Sequence, residues 1–224
     1  MIAIDSLERS FKIGVDWSFG GATAMRLFYD HRESKDIDIF VTDPYAISGL
    51  SPRLNDVTER LTGDYNEQSN FLKLKFPEGE VDFVVAARLV EDVPFVRRSL
   101  RGRDVNVEAP IEIVAKKCFY RADAFTARDI FDLAVLLEEE PENVERHASL
   151  LLAKHVDLER RLGMMRVAAD ADQAAIARAE RARQQVQDGL DAVAARPDFI
   201  RVKESAIDRV LTFLQDHSVP NYIP

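Results

Sequence analysis

The sequence predicts an α+β fold, a short mixed sheet with helices followed by a helical C-terminal half. Segments rich in β-branched and aromatic residues (DIDIFVT, FLKLKF and VDFVVA) all fall in the first half of the chain. The texture changes near Pro110, after which almost every segment has helical character. The length, 224 residues, suits one compact domain or two small ones and is enough for a sizeable core. The expected division is a core over 1–109 and a helical subdomain over 110–224.

Taken in order, residues 20 to about 31 read as a glycine turn opening a helix, with Ala22, Met25, Leu27 and Phe28 for packing. Residues 36–42 read as a strand, stopped by Asp43-Pro44. Residues 52–61 read as a helix. Residues 71–76 alternate apolar and basic, the pattern of a half-exposed strand. Pro77-Glu78-Gly79 turns that strand into a second one over 81–86, and 103–108 is a further strand. Beyond Pro110, residues 111–121 carry Ile111, Val114 and Cys118 at helical spacing, and 127–137 form another helix. Pro141 stands at the first-turn position of a third. Residues 170–195, rich in Ala, Arg, Gln and Glu, read as a long exposed helix broken by Pro197, and 206–214 as a closing one.

Composition removes several classes of function. No apolar run approaches the ~20 residues that a membrane span needs. The start, MIAIDSLERS, lacks a basic region followed by an apolar stretch, so no secretory signal is expected. A single cysteine, Cys118, allows no intrachain disulfide and fits a reducing compartment, so the expected location is cytoplasmic. His31, His147, His155 and His217 lack zinc-site spacing, and no glycine-rich loop ends in Gly-Lys-Ser/Thr. The net charge of -9 argues against a whole-protein basic footprint for nucleic acid. Arg97, Arg98, Arg101 and Arg103 leave two local readings open, a solvated turn between strands or a polyanion site such as one for RNA.

Three features carry chemistry together. Gly20 and Gly21 precede a helix, where the backbone can approach a ligand and free N–H groups favour an anion. Alone, a glycine pair is an ordinary turn. Asp36 and Asp38 are two apart on a strand and so share a face, with Ile37 and Ile39 expected in the core. Two like charges side by side call for a cation, and carboxylates suit Mg²⁺ holding substrate phosphates. The plainer alternative is that one of them is a solvated edge acid. Asp82 lies in an otherwise apolar strand, and a buried carboxylate there needs a partner. Glu80 faces the same side but is nearer the turn.

In this order, Gly-Gly, Asp-x-Asp and a lone strand acid resemble the polymerase-β nucleotidyltransferase superfamily, with a spacer of fourteen residues after Gly21 that is slightly long for it. The stretch GGATAMRLFYDHRESKDIDIFV further resembles the AbiEii-type nucleotidyltransferases, the toxins of type IV toxin–antitoxin systems. Ser34, Asp36 and Asp38 match that family's Ser-x-Asp-x-Asp strand, although Ile39 holds the usual aromatic position and Phe40 follows it. IEIVAKKCFYRAD followed by ARDIFDLAVLL matches its helical lysine and Arg-Asp-x-x-Asp-Leu segment through Lys117, Arg128, Asp129, Asp132 and Leu133. Lys116 is the neighbouring alternative to Lys117.

The resemblance implies a polymerase-β-like core and transfer of NMP from an NTP to an acceptor with release of pyrophosphate. It implies Asp36, Asp38 and Asp82 as ligands of Mg²⁺ (or Mn²⁺), and Asp82 also as an aid to deprotonating the acceptor. Gly20, Gly21, Thr23, Ser34 and Lys117 would bind the nucleotide, ATP among the candidates, with Asp129 at the edge of the site. The expected acceptor is RNA, such as a tRNA 3′ end, and the expected partner is an antitoxin protein, with no membrane involved. Modification of a small molecule or a protein is the alternative, and a catalytically silent nucleotide-binding module is a third reading. Retention of all three acids argues against the silent module.

Overall fold

The computed structural model describes Asp5 and residues 16–100 and 102–170, with side chains to 165. The expected helices over 170–195 and 206–214 lie outside the described residues, apart from the first residue of the former. The chain divides into two compact units, one up to Ile113 and one from Val114.

The first unit is built on a seven-stranded mixed sheet. Its strands are β1 (Trp17–Gly20), β2 (Ile37–Val41), β3 (Tyr65–Gln68), β4 (Phe71–Phe76), β5 (Gly79–Val85), β6 (Val96–Leu100) and β7 (Arg103–Val107), in the spatial order β3-β4-β5-β2-β1-β7-β6. Helix α1 (Gly21–Tyr29) follows β1 directly, and the short helices α2 (Tyr45–Leu50) and α3 (Asp56–Glu59) follow β2. The α+β expectation holds.

Register explains how one sheet carries both a core and a charged row. Phe19 pairs with Ile39, Ile39 with Phe83, and Phe83 with Leu72. All four are buried and form an apolar row across β1, β2, β5 and β4. One residue along each strand the side chains point the other way. There Gly20 pairs with Asp38, Asp38 with Asp82, and Asp82 with Lys73. Each strand thus contributes one residue to the core and its neighbour to the charged row.

Several elements differ from expectation. β2 begins at Ile37, so Asp36 lies just before the strand. The Asp36 carboxylate accepts the Glu80 N–H at 3.2 Å, occupying a donor that a longer ladder would use. Ile37 is exposed rather than in the core, because as the first residue of β2 it stands at the sheet margin. The helix expected over 52–61 is reduced to α3. Ser51 precedes Pro52 and is extended, as the proline ring favours, and the Asn55 side chain starts α3 by accepting from Val57 and Thr58. Strands β1, β3 and β6 and helix α2 were not expected. Arg97 and Arg98 lie on β6, not in a turn.

The second unit contains most of α4 (Pro110–Tyr120), followed by α5 (Ala127–Glu139), α6 (Pro141–Arg146), α7 (Ala148–Leu151) and α8 (His155–Asp170), the last two unexpected. Its core gathers Cys118, Phe125, Ile130, Leu133, Leu136, Leu151, Leu158 and Leu162. Thr126 and Asp129 form a reciprocal capping box that starts α5. The Arg161 Nε donates to the Phe125 carbonyl at 2.9 Å and ties α8 to the segment before α5.

Candidate active site

The site begins where β1 becomes α1. Gly20 is the N-cap residue of α1, and no side chain caps that helix end. The first N–H groups of a helix have no partner within the helix, so this end is suited to receive an anion. Gly21 has φ of 68°, in the left-handed region where glycine is favoured. A Cβ there would stand 2.5 Å from the Asp38 Cγ and overlap its Oδ2. A Cβ on Gly20 would stand 2.5 Å from the Phe40 ring and overlap the Glu108 carboxylate. Gly21 is thus what lets the Asp38 carboxylate lie under the start of a helix, while Gly20 makes room for Phe40 and Glu108.

Thr23, in the first turn of α1, fixes the approach to β2. Its hydroxyl donates to the Asp36 carbonyl and lies 2.9 Å from the Ser34 hydroxyl. Arg26 is drawn to acids on its own side, pairing with Asp30 and Glu33 at 3.0 Å each.

Asp82 is the most constrained of the three acids. Among the described residues its Oδ1 is buried without a hydrogen-bond partner, and its Oδ2 lies 3.0 Å from the Lys73 ammonium. Lys73 also pairs with Glu80. Burial pushes the Asp82 carboxyl above the usual aspartate range, outweighing the pull of Lys73, with Glu80 and Asp36 pushing the same way. Among the described residues, no three Asp, Glu, His or Cys side chains are already gathered as a metal-holding group. Asp82 is turned to Lys73, and Asp36 to the Glu80 N–H.

The residues expected from the helical half are brought together in the second unit. Lys117 is buried and lies 2.9 Å from Asp129, and it also pairs with Asp132. Asp129 and Asp132 are both buried, so neither is a surface acid. Burial raises the Asp129 carboxyl, but the Lys117 charge, with hydrogen bonds from Lys117 and Thr126, holds it below the ordinary value. Arg128 is exposed, and Lys116 is buried.

Lys73, Glu80 as its second partner, and the buried Ser18–Glu108 hydrogen bond of 2.7 Å were not anticipated as parts of the site. The signal for Lys73 was present: a two-residue loop at Pro77-Glu78 sets Lys73 opposite Asp82. An open groove of about 580 Å³ beside β3, lined by Ile47, Arg53, Tyr65 and Glu67, contains none of the expected site residues.

A glycine-led helix thus stands over Asp38 on β2, with Asp36 just before that strand and a third acid, Asp82, on the adjacent parallel strand. A family model of nucleotidyl transferase AbiEii toxins of type IV toxin–antitoxin systems matches residues 7–212, and the chain is a nucleotidyltransferase. More narrowly, it belongs to the AbiEii family of toxin–antitoxin nucleotidyltransferases. No curated protein matches it. Among solved structures it is similar to MenT4, a nucleotidyltransferase toxin from Mycobacterium tuberculosis, at 18% identity over 97% of this chain and 82% of that one, with a TM-score of 0.45. It is also similar to a protein from H. pylori described as a nucleotidyltransferase, at 14% identity over 97% and 94% of the two chains, with a TM-score of 0.42. Among the described residues, no helix is long and apolar enough to cross a membrane.

Proposed function

We propose that this chain transfers a nucleoside monophosphate from an NTP to an RNA 3′ end of the tRNA type, in the cytoplasm, as the toxin partnered by an antitoxin. The observation that carries this reading is the row Gly20–Asp38–Asp82, with a buried carboxylate oxygen of Asp82 left without a partner. A hard cation suits that all-oxygen donor set, so Asp36, Asp38 and Asp82 are the residues that would hold Mg²⁺ or Mn²⁺. When bound, the metal would neutralise charge on the phosphates and lower the barrier to displacement.

The chain's own residues do the rest. The helix start at Gly20 and Gly21 holds the terminal phosphates, and Thr23 and Ser34 keep the segment before Asp36 in place beneath them. The acceptor hydroxyl oxygen bonds to the α-phosphorus while the bond from that phosphorus to the bridging α–β oxygen breaks, and pyrophosphate leaves. The hydroxyl proton passes to the Asp82 carboxylate, which serves as the general base. Lys117 and Asp129 are required for transfer, a role supported by family membership and by their burial as a charged cluster.

RNA is favoured over a small acceptor by the arginines near β6. Arg97 and Arg98 are exposed; the Arg98 guanidinium lies 5.4 Å from the Phe28 ring centre, and that of Arg88 lies 4.6 Å from the Phe95 ring centre. Stacked guanidinium groups and rings suit a single-stranded polyanion. The test is incubation with each labelled NTP, Mg²⁺ and total RNA, comparing wild type with Asp38→Ala. Labelled RNA with wild type alone supports the reading. Equal labelling sinks the role of Asp38. Labelling of protein or small molecules instead moves the acceptor to those classes, and nucleotide binding without transfer to any acceptor favours the silent module.

A further inference from the structure

Lys73 occupies a position that nothing in the transfer chemistry requires. It stands directly opposite Asp82 across β4 and β5, its ammonium 3.0 Å from the Asp82 Oδ2. Its second partner, Glu80, is one side-chain repeat back along β5 on the same face. Glu80 is also the residue whose N–H binds Asp36. One lysine thus has two seats, one on a proposed metal ligand and one on an acid beside it. The Asp82 seat is the more buried, with side-chain exposure of 20% against 37% for Glu80.

An acid row this close to a buried strand needs a counter-charge whenever no metal is bound. We infer that Lys73 is that counter-charge, a positioning residue that competes with the divalent cation for Asp82 and is held by Glu80 once the cation arrives. The inference rests on the metal reading above. Lysine suits the task, because a single ammonium on a flexible four-carbon stem can swing between two carboxylates with its backbone fixed in the sheet. The seat on Glu80 keeps the displaced charge paired, so its release does not leave an ammonium stranded at the site.

The test is Mn²⁺ binding to the full chain without nucleotide, followed by electron paramagnetic resonance, with thermal melts to confirm folding. Lys73→Met is expected to bind Mn²⁺ at least about fivefold tighter than wild type, since a competing positive charge beside the ligands is gone. Lys73→Arg is expected to stay near wild type. Glu80→Gln is expected to weaken binding several-fold, and that effect should vanish in the Lys73→Met background, because Glu80 acts through Lys73. Unchanged or weaker Mn²⁺ binding by folded Lys73→Met overturns the inference. If Lys73→Met does not fold, Glu80→Gln decides alone: unchanged or tighter binding overturns it. Asp38→Asn separates the two levels. If wild type binds no Mn²⁺, or Asp38→Asn binds it as well as wild type, the metal reading itself fails and takes this inference with it. Loss in Asp38→Asn with no change in Lys73→Met removes the role of Lys73 alone.

Discussion

The Asp38 carboxylate occupies the space that a side chain on Gly21 would need. Two constraints meet there, the positive φ of Gly21 and the packing of an acid against backbone. Gly21→Ala must either move Asp38 or unwind the first turn of α1. The expected result is a loss of about 1–3 kcal/mol of stability, on the scale of left-handed strain and overpacking. Nucleotide transfer should fall by roughly a hundredfold or more, since about 1 Å of misplacement at a reacting centre can cost that much. A denaturant melt and a transfer assay read the two effects separately.

Asp82 pays for its position in the sheet. Its folded-state pKa is raised, so its contribution to stability is fully present below the unfolded value and is lost as pH rises through the raised one. In EDTA-treated protein at neutral pH, Asp82→Asn should therefore be more stable than wild type by about 1 kcal/mol, the usual scale for relieving a strained functional site. Transfer activity should be abolished. The stability gain should shrink as pH is lowered towards about 4, where the unfolded carboxyl titrates. A lower melting temperature for Asp82→Asn at neutral pH would show that its attraction to Lys73 outweighs its burial.

Lys117 holds two buried acids, and removing it strands both. Lys117→Met should cost about 3–5 kcal/mol. The pH dependence adds a check of sign. Asp129 is depressed in the wild type, so its contribution is present above the ordinary aspartate pKa and is lost as pH falls through the lower folded value. In Lys117→Met, burial acts on Asp129 without that offset, and stability should rise as pH falls from neutral. Urea titrations at several pH values on both proteins would show opposite slopes.

Cys118 lies in the core of the second unit, and burial pushes its thiol up to about 12. A thiol in that state is a poor nucleophile. A thiol-labelling reagent at pH 8 should leave the native protein unmodified over minutes and react promptly in denaturant. Fast labelling of the native protein would mean that α4 opens locally.

Much of the site was legible because its parts are local. Gly20-Gly21, Asp36-Ile37-Asp38 and the acid inside VDFVVA each announce themselves within a few residues. The β4–β5 hairpin was legible too, since alternation and a tight turn fix its register. What stayed hidden depends on partners distant in sequence. Nothing near Asp132 signals that it is buried against Lys117, and an exposed helix acid has the same local pattern. Strand β3 reads as polar, with Asn66 and Gln68 exposed, because it is a sheet edge with little to bury. β6 carries arginines where a strand usually shows β-branched residues, for the same reason.

The order in which the charged row can form has a consequence for synthesis on the ribosome. The glycines and the Asp-x-Asp segment emerge early, but the third acid arrives with β5, and the parallel pairing of β2 with β5 joins segments far apart in the chain. Such long-range pairings are slow steps in folding. A nascent chain that ends before Gly79 carries Gly20, Gly21, Asp36 and Asp38 yet lacks Asp82, and β2 has no strand on its β5 side. An interrupted translation product therefore holds most of the motif but not the Asp38–Asp82 pairing that completes the row.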